Sequence, residues 1–198
     1  MAFEFGLRFS GKMTMPNALR MIKDRQKAMF SVLLAVRTIA RRAMRSDGKA
    51  DFPHLKSLLE YLDRFPEKLH QPNEERYLFK AILSREPSLS RVVARAQRDH
   101  AASKGYLVRL RAALQDWEDN VEGGMSQTAI VADDYVRFAR RHARIEERDL
   151  LSVARKVLNE KDWQEVERVF SAAADPLAAS KSRQECTMAV RQFSGLAA

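Results

Sequence analysis

Apolar residues recur at Ala18, Ile22, Met29, Val32, Val36 and Ile39. This three-and-four spacing marks one helix face and predicts a helix from about Pro16 to Arg45. The "SDGKAD" that follows is a turn. A second pattern opens at Asp51, an N-cap candidate with Pro53 in the first turn, and carries Leu55, Leu58, Leu59, Leu62 and Phe65 on to about residue 85, where "SREPSLS" ends it. The third runs from about Leu89 to Val121 with Val93, Ala96, Leu107, Leu110 and Leu114 on one face, and "EGGMS" closes it. Ser126 or Thr128 starts a fourth through Val131, Tyr135, Phe138, Ile145, Leu150, Val153 and Val157. A short fifth follows in "NEKDWQEVERVF", with Asn159 as its cap.

Four helices of this length, joined by short turns, bury their stripes most simply as an up-down-up-down four-helix bundle, about 45 Å long at 1.5 Å per residue. The expected fold class is therefore all-α, a bundle with a short additional C-terminal helix. Residues 1–15 read as an N-terminal extension, 16–177 as the bundle with its fifth helix, and 178–198 as a small, polar C-terminal tail.

Composition narrows the classes. Seven glycines and six prolines in 198 residues leave few places for turns, which favours long helices over many short strands. No apolar run reaches the roughly 18 residues needed to span a bilayer, and the first residues carry no sustained apolar segment, so the chain reads as soluble, unexported and cytoplasmic, with no membrane partner. A single cysteine, Cys186, excludes an internal disulfide framework and a thiolate metal cluster. The formal charge of +9 is concentrated: residues 1–50 hold 11 Lys and Arg against 3 Asp and Glu. The segment ending "RTIARRAMR" lacks interleaved aromatics and any nucleic-acid reading motif, which argues against nucleic acid. A solvated helix face accounts for it, with a homodimer or protein partner through the basic first helix as the other use of such a surface.

The polar residues on the apolar stripes carry the chemistry. His142 lies four after Phe138 and three before Ile145, so it points inward, and Glu146 lies one turn further along the same face. His100 lies four after Ala96 and seven before Leu107, also inward. His70 and Glu74 share a face of the second pattern, continuing from Leu62 and Pro66 at intervals of four. Five ionisable side chains from three helices thus converge, and burying two carboxylates without compensation costs several kcal/mol per charge. One HxxxE pair is common by chance and a lone inward histidine is usually a hydrogen-bonded core residue. Two HxxxE pairs on different helices with a third inward histidine are a much rarer coincidence. Imidazole and carboxylate at i and i+4 can approach one ion, and a mixed N/O set suits iron, with manganese or zinc as alternatives. His54, in a first turn, is expected to be exposed and without a role. Pro66 and Pro72 fall inside the second pattern; either they kink the helix beside the ligands or the helix ends and restarts as two pieces.

These segments carry a resemblance. "YLDRFPEKLHQPNEERYLF" is similar to the FPERxHHPKEDxYLF pattern of the bacterial hemerythrin-like proteins, the HHE cation-binding domain group; "RDHAASKGYL" is similar to their EH segment, "YVRFARRHARIEERDLLSVA" to HxxxEExxLLPxA, and the closing "DWQEV" and "DPL" also match. The resemblance implies a four-helix bundle holding a non-haem di-iron centre, ligated by histidines and bridging carboxylates, that binds or senses oxygen, nitric oxide, peroxide or iron supply. Carried over position by position, it makes His70, Glu74, His100, His142 and Glu146 the metal ligands and implies a small diatomic or peroxide ligand.

Two departures stand out. The family's first-helix histidine is replaced in "IKDRQKAMF" by Arg25, three after Ile22 and four before Met29 on the inward stripe, and Gln71 replaces the second histidine of HHP. A guanidinium cannot ligate a metal but is shaped to bind a carboxylate, so Arg25 is expected to pair with Glu74 or Glu146. Three readings follow, in this order: an altered centre with a di-iron pair or a single iron; a metal-free bundle acting as an interaction or regulatory protein, with Arg25 replacing the metal charge; and an oxidase or peroxidase-like enzyme. The last rests on analogy alone, since no catalytic nucleophile with a base partner is visible.

Overall fold

The computed structural model describes residues 16–45, 49–172, 175 and 177. The N-terminal extension and the tail from 178 lie outside the described residues. The periodic stripes become five helices among the described residues. Helix α1 is Asn17–Ala43, α2 is a continuous helical stretch over 52–85, α3 is Ser90–Glu118, α4 is continuous over 124–157, and α5 is Glu160–Ala172. No strand is present among the described residues. Among them, too, no helix is long and apolar enough to cross a membrane.

Caps fall where the side chains can serve them. Asp51 accepts from the His54 backbone N–H at 3.0 Å, with Pro53 in the first turn of α2. Asn159 accepts from the Asp162 N–H at 2.9 Å while Asp162 accepts from the Asn159 N–H at 3.0 Å, a reciprocal capping box that starts α5. Helix α4 departs from expectation and begins at Gly124 rather than at Ser126 or Thr128. The hydroxyls of those two residues bond back to the carbonyls of Gly123 and Gly124 within the helix instead of capping it. Gly123 takes the left-handed conformation at φ 80°, and a Cβ on Gly124 would lie 2.5 Å from the Trp117 backbone nitrogen. The glycine pair is what lets α3, which ends at Glu118 rather than Val121, and α4 meet so closely.

Each helix packs against its chain neighbours, α1 on α2, α2 on α3 and α3 on α4, and α4 closes the ring against α1, giving the antiparallel bundle; α5 lies across α1 and α2. The basic face of α1 is partly neutralised by α4, through Arg41 and Arg37 on Asp133 and Lys23 on Glu147.

The core comes in two parts. One apolar cluster joins the C-terminal half of α1, the start of α2, the end of α3 and the start of α4, with Leu33, Leu58, Leu110 and Ala132 wholly buried. The other joins the opposite ends with α5, around Ile22, Phe79, Ala96, Leu150 and Phe170. Between them lies a waist in which the buried residues are polar: Arg25, Glu67, His70, Gln71, Glu74, His100, Ser103, His142 and Glu146.

Helices α2 and α4 change their winding at this waist. α2 widens to π-helical turns over Asp63–His70 and Glu74–Phe79, and α4 does so over Glu146–Leu151. The prolines therefore neither end nor split α2. The Gln71 N–H reaches back five residues to the Pro66 carbonyl, so the hydrogen-bond ladder continues in the wider register past a residue that has no N–H of its own to donate.

One obstructed and one open glycine site separate the effects of shape and entropy. Gly124→Ala is expected to destabilise the protein by about 1–3 kcal/mol through overpacking. Gly105→Ala, with nothing within 4 Å of the added carbon, is expected to be neutral or stabilising by up to about 1 kcal/mol. Urea unfolding of the two variants beside the parent checks both signs.

Candidate metal centre

The waist brings together all five inward residues singled out in the sequence, each of them buried. The π-turns place them. Glu74 and Glu146 each stand at the start of a widened segment, four residues after a histidine, in the matching stretches "HQPNEERYLF" and "HARIEERDLL". His70 Nε2 lies 3.2 Å from Glu74 Oε1, and His142 Nε2 lies 3.2 Å from Glu146 Oε1. His100, from α3, joins the halves: its Nε2 is 3.6 Å from Glu74 Oε2 and 3.5 Å from Glu146 Oε1. Ligand atoms of His100, His142 and Glu146 all fall within 4.8 Å of one another.

The other ring nitrogens explain why these imidazoles point as they do. His100 Nδ1 meets Glu75 Oε1 at 2.7 Å, and His142 Nδ1 faces Asp99 Oδ2 at 3.5 Å. The hydrogen-bonded carboxylate on His100 Nδ1 fixes that ring and directs Nε2 toward the centre, the arrangement that outer carboxylates give to metal-bound histidines, while Asp99 faces His142 Nδ1 without a hydrogen bond. Aromatic rings complete the walls. Phe79 stacks on His100, Phe138 lies parallel to His142, and the edge of Phe170 meets His70.

Several buried atoms at the centre have no hydrogen-bond partner: both oxygens of Glu74, Oε1 of Glu146 and Nε2 of His100. Orphaned acceptors clustered in this way are costly unless a positive charge meets them. The donor set of imidazole nitrogens and carboxylate oxygens therefore fits a divalent first-row cation such as iron. In the metal-free molecule protons supply the charge. Burial opposes charging His100, but the Glu146 carboxylate 3.5 Å from Nε2, the charge of Glu74 and the Glu75 contact raise it to about 9. Burial likewise opposes charging His142, and Glu146 more than offsets it. Glu146, which burial alone would raise, is held well below the usual carboxylate range by His142 and His100.

Helix α1 supplies no ligand of the expected kind. Arg25 is inward, 5% exposed, but both Glu74 oxygens and Glu146 Oε1 have no hydrogen-bond partner and Glu146 Oε2 is met by Gln26. The Arg25 guanidinium donates to the Phe170 carbonyl at 2.5 Å and lies over the Phe170 ring, 4.9 Å from the centroid. Burial lowers its pKa, opposed chiefly by the charge of Asp175 and then by Tyr61 and Glu74. The expected ion pair fails because α5, which the apolar stripe of α1 alone does not locate, brings a carbonyl and an aromatic face within closer reach. From α1 it is Gln26 that reaches a carboxylate of the centre: its amide donates to Glu146 Oε2 at 2.7 Å.

His54 also departs from expectation: it is 2% exposed. It lies four before Leu58 and seven before Tyr61, so the inward stripe passes through it despite its place in the first turn. The sequence reading missed Gln26, Glu75, Asp99 and Glu67. Glu75 and Asp99 were marked only by adjacency to Glu74 and His100, one position and about 100° around the helix. Glu67 shows as an i, i−4 partner of Gln71. Its Oε1 accepts from Ser103 at 2.5 Å, from Gln71 at 3.2 Å and from Tyr135 at 3.4 Å. Burial raises the Glu67 carboxyl despite these bonds.

A family model, the hemerythrin HHE cation binding domain, matches residues 17–154, a span that contains the four bundle helices up to the last turn of α4. No curated protein and no solved structure matches the chain.

The raised histidines give a pH signature to the metal-free protein. A histidine whose folded pKa exceeds its unfolded value stabilises the fold below about pH 6.5, and that contribution is lost as the pH rises through about 9. Metal-free protein is therefore expected to lose thermal stability between pH 6.5 and 9, with a shallower loss in His100→Gln. Melting curves in chelator at a series of pH values check this, and a flat or rising profile contradicts it.

Proposed function

Because the chain belongs to the hemerythrin HHE cation-binding domain family, we propose that it is a non-haem iron protein holding a single ion per chain at His100, His142 and Glu146, with Glu74 beside it. The observation that carries this reading is the buried cluster of those three residues, whose ligand atoms lie within 4.8 Å of one another. An iron ion bound there would supply an open coordination position and one-electron redox chemistry, suited to binding or sensing oxygen, nitric oxide, peroxide or iron supply in the cytoplasm. The residues of the chain bind and orient. Glu75 holds the His100 ring, Asp99 places its charge beside His142 Nδ1, Gln26 occupies the second oxygen of Glu146, and Phe79 and Phe138 exclude water from the imidazole faces.

The single-ion reading follows from α1. A second ion on the His70–Glu74 side would need a third protein ligand from that helix. Arg25 cannot ligate, and Gln26 turns its amide N–H, which is no ligand, toward Glu146. The metal-free reading in which Arg25 replaces the ion is weakened by its position on the Phe170 carbonyl and ring.

Elemental analysis of protein purified without chelator is expected to give about one iron per chain after supplementation; values near zero or near two contradict the reading. His142→Ala and Glu146→Ala are expected to lose most of the metal. His54→Ala, a buried site remote from the cluster, is expected to lower stability while leaving metal per folded chain unchanged. Arg25→His adds an imidazole on the His70–Glu74 side and is expected to raise iron above the parent value, measured by the same analysis. An unchanged value would mean that Arg25 is not what limits the centre to one ion.

A further inference from the structure

The aromatic rings that seal the centre leave a polar approach. A cleft of about 320 Å³ opens between α2 and α3, lined by Glu67, Gln71, Glu75, His100, Ala101 and Lys104 among others, so that it runs from solvent to the ring of a proposed ligand. Two of its lining residues carry buried oxygens without a hydrogen-bond partner, Glu67 Oε2 and Gln71 Oε1. Glu75, whose side chain is 34% exposed, spans the distance from solvent to His100 Nδ1. By contrast Phe79, Phe138 and Phe170 stand against the three histidine rings elsewhere.

Unpaired carboxylate and amide oxygens buried just behind the wall of a solvent-connected cleft suit a hydrated divalent cation, which can exchange waters for them one at a time. Lys104 and Arg76 also line the cleft, but both side chains are exposed to solvent, where their long flexible stems let the charged ends turn outward, away from a passing cation. A buried apolar wall would force the ion to shed its whole water shell at once; this one does not. We propose that the cleft is the loading port of the centre, in which a divalent cation passes Ala101, exchanges waters for Glu67 Oε2 and Gln71 Oε1, and moves on to His100. The inference rests on the single-ion reading above, and nothing in that reading requires this route.

The test uses the full chain and Co²⁺, whose uptake is followed by its visible absorption, with release followed on adding chelator. Ala101 is exposed and lines the cleft, whereas its neighbour Ala102 is exposed and does not. Ala101→Trp is expected to slow uptake and release together by about tenfold or more with Kd unchanged, because an obstructed route alters both rates and not their ratio. Ala102→Trp is expected to match the parent, and Gln71→Leu is expected to slow uptake through loss of one oxygen on the path. If the parent takes up cobalt and Ala101→Trp exchanges at the parent's rate, or Ala102→Trp slows it equally, the port is overturned while the single-ion reading stands. If Gln71→Leu loads at the parent's rate, the transit role of that oxygen is overturned. If the parent takes up no cobalt and no iron, the single-ion reading fails and the port with it.

Discussion

Two carboxylates, Glu74 and Glu146, lie 1% and 2% exposed at the middle of a helical bundle, and the rest of the waist is arranged around their charge. Apolar packing above and below cannot compensate them, and an isolated buried carboxylate would cost several kcal/mol even after relaxation. His100 and His142 supply the compensation as imidazolium when protons are bound, and would supply neutral ligand nitrogens to a bound cation. The apolar clusters on either side exclude water and so raise the strength of whichever charge is present. Stability and metal affinity thus draw on the same few atoms.

The waist is built from a duplicated device. On α2 and on α4 a histidine precedes a glutamate by four, and a widened turn follows the glutamate in the related sequences "EERYLF" and "EERDLL". In each copy the turn sets two large apolar residues, Leu78 and Phe79 or Leu150 and Leu151, into the second core directly after the carboxylate. The device is symmetric but its surroundings are not. α3 contributes His100, with Glu75 behind it and Asp99 serving His142, while α1 contributes Arg25 and Gln26. The asymmetry of α1 and α3, rather than any change in the paired motifs, makes the two halves of the centre unequal.

The helices and the inward histidines were legible because both depend on period alone. A residue three or four positions from apolar neighbours shares their face, whatever its chemistry, and that rule placed His70, His100 and His142 inward. It also bears on His54, where the expectation of exposure gave more weight to the first turn than to the stripe. Contacts made between helices were less legible. The partner of Arg25 depended on where α5 crosses, and the roles of Glu75, Asp99 and Gln26 depended on rotations of one residue about neighbouring helix axes. The turn at Gly123 and Gly124 was legible, but the start of α4 was set two to four residues late because hydroxyl residues were read as its first positions, whereas close helix approach there requires glycine. The continuity of α2 through Pro66 required π-turns, which no local propensity distinguishes from a break.

The central claim is that one cation sits among His100, His142 and Glu146. An anomalous-difference map from crystals of the iron-loaded chain tests it most directly. The account predicts one peak per chain, within about 2.0–2.2 Å of His100 Nε2, His142 Nε2 and a Glu146 oxygen, the distances usual for nitrogen and oxygen ligands of such metals. Two peaks bridged by Glu74 and Glu146, or a peak outside the waist, would contradict it.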